Sequence, residues 1–253
     1  MIDYDAELQL HNEQLRRAYE LSVADNVLDI GCGTGQTTRE AARLASDGLA
    51  MGVDVDEVMI ARARELAATE GLPNVRFEVG DVERHPFRVG EFNVAISRFG
   101  TMFFADPPKA FHNIARAIRP GGRLVMMVWR SRDLNEWAVA IDRALGKRES
   151  GPIAATGFDP FSLGEPTTVR RLLAAAGFES ITLDEVDEPV YYGRDVDAAL
   201  DFVSNFAEVS QALQRFDARS SVIARLRSTL EAHSSEQGVY FDSCAWIVMA
   251  RRR

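Results

Sequence analysis

Val27-Leu28-Asp29-Ile30-Gly31-Cys32-Gly33-Thr34-Gly35 is an apolar run that passes straight into glycines at alternate positions and then into helix-forming sequence. Such a run reads as a buried strand and the glycines as the tight turn after it. Without Cβ atoms, Gly31, Gly33 and Gly35 can take positive φ and let a ligand lie against the backbone, which the free N–H groups of the next helix face. Strand, glycine turn and helix form the opening half of a βαβ unit, so this stretch sets the fold class as α/β.

The same alternation continues outward. Strand-type runs at 49–53, 75–79, 92–97 and 123–129 alternate with helical sequence reaching to 45, then at 57–69 and 107–118. Gly71 and Pro73 stop the second of these helices; Pro107 or Pro108 opens the third, and Pro120-Gly121-Gly122 closes it. A helix at 167–176, a strand at 178–186 and a final strand at 240–250 follow, and Leu8, Leu15, Ala18 and Tyr19 mark an amphipathic helix at 5–20. The pattern predicts a doubly wound parallel sheet between helices. It divides the chain into an N-terminal helical lid segment (1–22), a ligand-binding core (23–130), an insertion (131–165), a core helix and sixth strand (166–194), a helical insertion (195–238) and the last core strand (239–253). Connections as long as the two insertions are usually functional, and they are expected to form a lid over the carboxyl ends of the strands, or equally a homodimer surface.

Composition excludes several classes. With 253 residues, 46% hydrophobic and 26% charged, the chain is globular, and its net charge of −9 disfavours nucleic acid as a partner. Arg251, Arg252 and Arg253 form the sole basic cluster, read as a solvated tail. Cys32 and Cys244 suggest neither a metal site nor a disulfide framework. The acidic start and the lack of an 18-residue apolar stretch lead us to expect a cytoplasmic protein with no membrane segment.

The ligand is indicated by acids. Asp29 ends the first strand, Asp54 lies twenty-three residues beyond Gly31 at the end of the second, and Asp81 ends the third. A carboxylate at the second position can accept both hydroxyls of a ribose. Three carboxylates on one sheet edge suit an ammonium- and ribose-bearing ligand and repel a pyrophosphate. Helix capping or loop solvation is the plain alternative for each. The order of 27–35, Gly52-Val53-Asp54, Gly80-Asp81, 92–98 and Arg119-Pro120-Gly121-Gly122 resembles the class I S-adenosylmethionine (SAM)-dependent methyltransferases, within them the branch of ubiquinone- and menaquinone-biosynthesis C-methyltransferases. The resemblance covers about residues 23–130 and is specific for cofactor rather than substrate.

The resemblance implies a seven-stranded, mostly parallel Rossmann-like sheet with an antiparallel last strand. It also implies that Gly31, Gly33 and Gly35 pass beneath the methionine moiety with Cys32 filling the turn, and that Asp29 orients the amino group. Asp54, next to Val55, would hold the ribose; Asp81 and Val82 would bracket the adenine; Ser97 and Arg98 would offer backbone oxygen to the ammonium. The product would be S-adenosylhomocysteine. Methyl transfer needs chiefly an acceptor lone pair in line with the C–S bond. Where a base helps, His11 and His112 are the candidates, with His85 and His233 read as packing or surface residues. Phe99, Met102 and Phe103, with Trp129, Tyr4 and Tyr19, are candidate walls for a small-molecule acceptor, helix-to-sheet packing being the alternative. Asp106-Pro107-Pro108 has the composition of an amino-methylating motif, but it lies well past the fourth strand end and reads as a helix opening. Two other readings are an NAD-dependent oxidoreductase, for which Gly35 arrives one residue early, and a non-catalytic SAM-binding scaffold.

Overall fold

The computed structural model describes residues 4–147, 159–214 and 219–253; positions 148–158 and 215–218 of the two insertions lie outside them. The chain forms two compact units, Asn12–Trp129 with Pro160–Val186 and Ala245–Arg253, and Met1–His11 with Arg130–Asp159 and Asp187–Cys244. Helices α1 (Tyr4–Glu7) and α2 (Gln9–Ala18) precede the first strand.

In the first unit, strands β1 (Asn26–Ile30), β2 (Leu49–Asp54), β3 (Val75–Val79), β4 (Phe92–Arg98) and β5 (Ile118–Trp129) alternate with α3 (Gln36–Leu44), α4 (Glu57–Thr69) and α5 (Pro107–Ala117). In chain order, α6 (Glu136–Ala144) of the second unit comes next, and α7 (Pro166–Ala175) and β6 (Phe178–Val186) return to the first. The second unit then resumes with β7 (Val190–Gly193), α8 (Val196–Val203), α9 (Ala207–Leu213), α10 (Arg219–Ala232), β8 (Ser234–Ser235) and β9 (Gly238–Phe241), and β10 (Ala245–Arg252) closes the sheet of the first.

That sheet has seven strands in the order β3-β2-β1-β4-β5-β10-β6. β1 pairs in parallel with β2 and β4, while β10 runs antiparallel to β5 and β6, so the expected Rossmann-like sheet is present. The order reverses at β1, which puts a crevice at the carboxyl ends of β1 and β4. β1 and β4 are almost wholly buried, as strands covered on both faces must be.

Helix boundaries follow local chemistry. Asp56 caps α4 by accepting from the N–H groups of Val58 and Met59, and Asp106 caps α5 by accepting from Lys109 N–H, with proline at the first helical position. Asp106-Pro107-Pro108 is thus a helix start. α5 buries Ala110, Phe111, Ile114, Ala115 and Ala117, and α4 buries Ile60, Ala63 and Ala67, which pack with Cys32 and Phe77. Cys32 is a core filler.

Two strand boundaries differ from expectation. β5 starts at Ile118 and carries Pro120-Gly121-Gly122 within it, with a register irregularity against β4, so the turn-like residues make a bulge and not a loop. The single strand expected at 240–250 is two, in different sheets: β9 pairs with β7 and β8 in a three-stranded sheet of the second unit, and β10 alone belongs to the seven-stranded one. The second unit packs Tyr192 against Phe202, Phe206 and Phe241, and α10 buries Val222, Leu226 and Leu230 at helical spacing. No helix among the described residues is long and apolar enough to cross a membrane.

The loops after β1 and β4 touch through glycine. A Cβ on Gly100, whose φ is −93°, would lie 2.6 Å from Ile30 O and 3.0 Å from Gly31 Cα. Gly100→Ala should therefore destabilise the protein by about 1–3 kcal/mol through overpacking alone. Urea unfolding measures it, and an unchanged midpoint would contradict the close approach.

Candidate active site

The glycine turn is built as its sequence demands. Gly31, Gly33 and Gly35 have φ of 67°, 54° and 79°, a region that disfavours side chains. Gly31 and Cys32 donate their N–H groups to Val53 O at 2.9 and 3.2 Å, which ties the turn to β2. A Cβ on Gly35 would strike the Phe77 ring at 2.5 Å, whereas one on Gly33 would meet nothing within 4 Å. The backbone face at Gly33 is open.

The three acids sit at the three strand ends in different states. Asp29 is 1% exposed, and its Oδ2 accepts from Thr37 Oγ1 at 2.5 Å and Thr38 Oγ1 at 2.6 Å. Its Oδ1 is buried without a hydrogen-bond partner. Burial pushes its pKa up to about 6, against the two threonine hydrogen bonds and the Arg98 charge, which lower it, and with the Asp54 charge, which raises it. Asp54 accepts from Gly33 N–H at 2.8 Å and, through its other oxygen, from Asp56 N–H at 3.0 Å. Asp81 is exposed and accepts from Glu83 N–H at 2.9 Å. Val55 is 69% exposed and Val79 41% exposed, apolar side chains at the edge carrying Asp54 and Asp81.

Val82 is buried and its carbonyl accepts from Asn113 Nδ2 at 2.7 Å. Ser97 is fully buried and donates through Oγ to Ile30 O at 2.8 Å, bracing β4 against β1. Arg98 donates to Gln36 Oε1 at 2.7 Å. Next, Phe99 takes a left-handed φ of 56° and stacks on Trp129 with ring centroids 3.9 Å apart. Met102 is buried, and its carbonyl accepts from Ser162 Oγ at 2.7 Å; Phe103 is 44% exposed. The structure thus brings Phe99, Met102 and Trp129 together just past the carboxyl ends of β4 and β5.

Tyr19 is fully buried, its hydroxyl has no hydrogen-bond partner, and burial with the charges of Glu40 and Asp29 pushes its pKa upward. Tyr4 belongs to the second unit and packs edge-on against Phe202. His11, also there, is fully buried with Nε2 3.0 Å from Ser243 Oγ. Ser243 Oγ donates to Glu188 O at 2.7 Å, so it accepts from His11 Nε2–H. His112 is exposed on α5. His85 lies tilted against Phe87 and meets Glu78, and His233 stacks on Phe241 and meets Glu136. Thr37 and Thr38 were not singled out in the sequence. Their signal is positional: they are the second and third residues of α3, where the helix start faces the strand it follows.

Among the described residues no group of three His, Cys, Asp or Glu side chains could hold a metal ion. Residues 27–122 match the family described as "Methyltransferase domain". The chain is 30% identical over 225 residues to nocamycin O-methyltransferase of Saccharothrix syringae, covering 83% of this chain and 79% of that protein. It is 32% identical over 176 residues to demethylmenaquinone methyltransferase of Thermus thermophilus, covering 64% and 80%. The crystal structure of YcgJ from Bacillus subtilis superposes with a TM-score of 0.63 over 98% of both chains at 20% identity, a likeness of fold.

The Asp29 environment has a pH signature. Its folded pKa lies above the ordinary 3.8, so the native state holds this proton more tightly than the unfolded chain. Its contribution is fully present below about pH 4 and lost as pH rises through about 6. Between pH 4 and 7 the stability of Asp29→Asn relative to wild type should improve by about 2–3 kcal/mol, whatever the offset from altered hydrogen bonds. Denaturant titration at several pH values tests this; a difference independent of pH would contradict it.

Proposed function

The chain belongs to the class I SAM-dependent methyltransferases, and from that premise we propose that it methylates a small organic acceptor whose apolar or aromatic body lies against Phe99, Met102 and Trp129. The observation that carries this reading is the stacked Phe99–Trp129 pair beside buried Met102, just past the strand ends that follow the glycine turn. An apolar wall with few polar groups is the usual lining of a small-molecule site. The nocamycin and demethylmenaquinone enzymes, by their names, act on such molecules, and the latter supports the quinone-related branch.

The residues fit the cofactor. Unpartnered Asp29 Oδ1 would receive the ammonium of its methionine part, and the open face at Gly33 would admit its chain. Each Asp54 oxygen accepts one backbone N–H, which orients the carboxylate and leaves lone pairs for two ribose hydroxyls. Asp81, with Val55 and Val79 alongside, would take the purine edge and face. When bound, the cofactor supplies an electrophilic methyl group on a sulfonium. The protein's part is positioning: Asp29 and Asp54 fix both ends of the ligand, and Phe99 and Trp129 exclude water beside the acceptor. This scheme assigns no general base to the chain.

A dinucleotide is a poorer fit. Gly33 N–H, one of the turn donors a pyrophosphate would use, already donates to Asp54, and the Asp29 carboxylate beneath would repel it.

Asp54→Ala should weaken binding of SAM and S-adenosylhomocysteine by about 1–3 kcal/mol in calorimetry. Both ligands should raise the melting temperature of the wild type and NADH should not. Stabilisation by NADH alone would overturn the assignment. Labelled SAM offered with panels of small hydroxyl, amine and carbon-acid acceptors tests turnover, and transfer to nucleic acid alone would overturn the small-molecule reading.

A further inference from the structure

Asn113 lies within α5 and nothing in the sequence singles it out, yet it is buried and every polar atom of its side chain is bonded. Its Nδ2 donates to Val82 O at 2.7 Å and to His85 O at 2.9 Å, and its Oδ1 accepts from Arg116 Nη2 at 3.0 Å, which fixes the way the amide points. We propose that Asn113 is a positioning residue that sets the Asp81 carboxylate for a 6-amino purine and so selects adenosine-type over inosine-type ligands. The inference rests on the reading that Asp81 takes the purine edge.

The link is a single peptide unit. Val82 O and Glu83 N–H belong to the same planar group, which cannot turn at one end without turning at the other. Its oxygen accepts from Asn113, and its N–H donates to Asp81 Oδ1 at 2.9 Å. Side-chain amide, peptide and carboxylate therefore form one chain of hydrogen bonds, in which each member polarises and directs the next. Glu83 is tied to the same helix by a second bond, since its buried side chain accepts from Asp106 N–H through Oε1 at 2.7 Å. The loop after β3 is thus gripped by α5 at two points, and both bear on the residue whose N–H holds Asp81.

The neighbouring contacts leave this direction to Asn113. His85 O also accepts from Phe87 N–H at 2.9 Å, whereas Val82 O has no second donor among the described residues. Arg84 Nε, the cation beside Asp81 Oδ2, lies 3.9 Å away on a side chain that is 76% exposed, a loose pair that does not aim the carboxylate. A carboxylate accepts and cannot donate, so one held in a fixed direction receives an exocyclic amine and opposes a carbonyl oxygen in the same place. With the Val82–Glu83 peptide released, Asp81 would swing aside from a 6-oxo group and the discrimination would fall.

S-adenosylhomocysteine and its 6-oxo analogue, S-inosylhomocysteine, differ only at that edge of the purine, and calorimetry on the full-length protein gives the ratio of their affinities. The wild type should favour the amino form by about tenfold or more, Asn113→Ala should cut that ratio by about threefold or more, and Asp81→Ala should remove it. In the Asp81→Ala background, Asn113→Ala should alter the ratio no further, because it acts through that carboxylate. Equal affinity of the wild type for the two ligands would overturn the proposal. So would an Asn113→Ala protein in which both ligands are weakened alike or neither is, or a change of ratio that persists without the Asp81 carboxylate. Asn113→Ser keeps one hydroxyl donor and should give an intermediate ratio; it is the variant to read where Asn113→Ala does not fold. A wild type that binds neither ligand sinks the cofactor reading itself, whereas a preference for the amino form untouched by both Asn113 substitutions sinks this inference alone.

Discussion

A carboxylate buried at the end of the first strand is the constraint around which the rest of the sheet edge is arranged. Asp29 is shielded from water and can be tolerated only if its charge or its proton is accommodated. Burying such a group costs several kcal/mol, and each hydrogen bond to a charged acceptor returns about 1.5–3. Thr37 and Thr38 supply two, which offsets much of the cost but not all, and the residue appears as a raised pKa. Those hydroxyls reach back to β1 only because the chain reverses within a few residues, and it reverses through three glycines at positive φ. Packing then locks the turn: Gly35 leaves room for Phe77, and Gly31 and Gly100 let the loops after β1 and β4 touch. One buried charge thus links glycine turn, helix start and strand order, and Asp29 Oδ1 is left as the part the fold itself does not use.

The other two acids are handled differently, and the difference matters for recognition. Asp54 is anchored by the backbone N–H groups of Gly33 in the glycine turn and of Asp56, and Asp81 by that of Glu83. The edge therefore presents two carboxylates held by backbone N–H groups and a buried one with an oxygen left unpartnered. Because Asp54 also draws on Gly33 N–H, the acid at β2 both holds the turn in place and removes a donor that an anion would need.

The central part of this arrangement was legible in the sequence because it rests on short-range chemistry. Buried strands, alternating glycines, the acid after each strand and Asp106-Pro107 as a helix start are local signals, and each element they mark is present. The mismatches lie where tertiary pairing overrides a local rule. Pro120-Gly121-Gly122 reads as a loop, yet β4 recruits the residues on both sides of it and absorbs the turn as a bulge. β7 and β9 are four-residue strands, too short to show a period, and Val239 to Phe241 is apolar enough to merge by eye with β10. Thr37 and Thr38 were invisible as partners of Asp29 because a threonine in a helix start carries no mark of what it faces. The orphaned Tyr192 hydroxyl likewise exists only as a consequence of packing, since nothing in Val190–Gly193 distinguishes a satisfied tyrosine from an unsatisfied one.

Phe99 shows how the same edge stores strain where chemistry is proposed. A left-handed φ of 56° on a bulky residue costs roughly 1–2 kcal/mol, and glycine at that position would avoid it. The conformation is nonetheless required: the chain leaving β4 must turn sharply for Gly100 to pass against Ile30 and Gly31. What retains a phenylalanine there is its ring, which stacks on Trp129 at 3.9 Å while its N–H donates to Met127 O. A stacked aromatic pair contributes about 0.5–1.5 kcal/mol beyond burial, comparable to the strain, so the pair roughly cancels the penalty and leaves little net stability. What remains in favour of phenylalanine is the burial of its ring, which is 8% exposed, and the result is a rigid apolar surface at the carboxyl end of β4, two residues from Ser97.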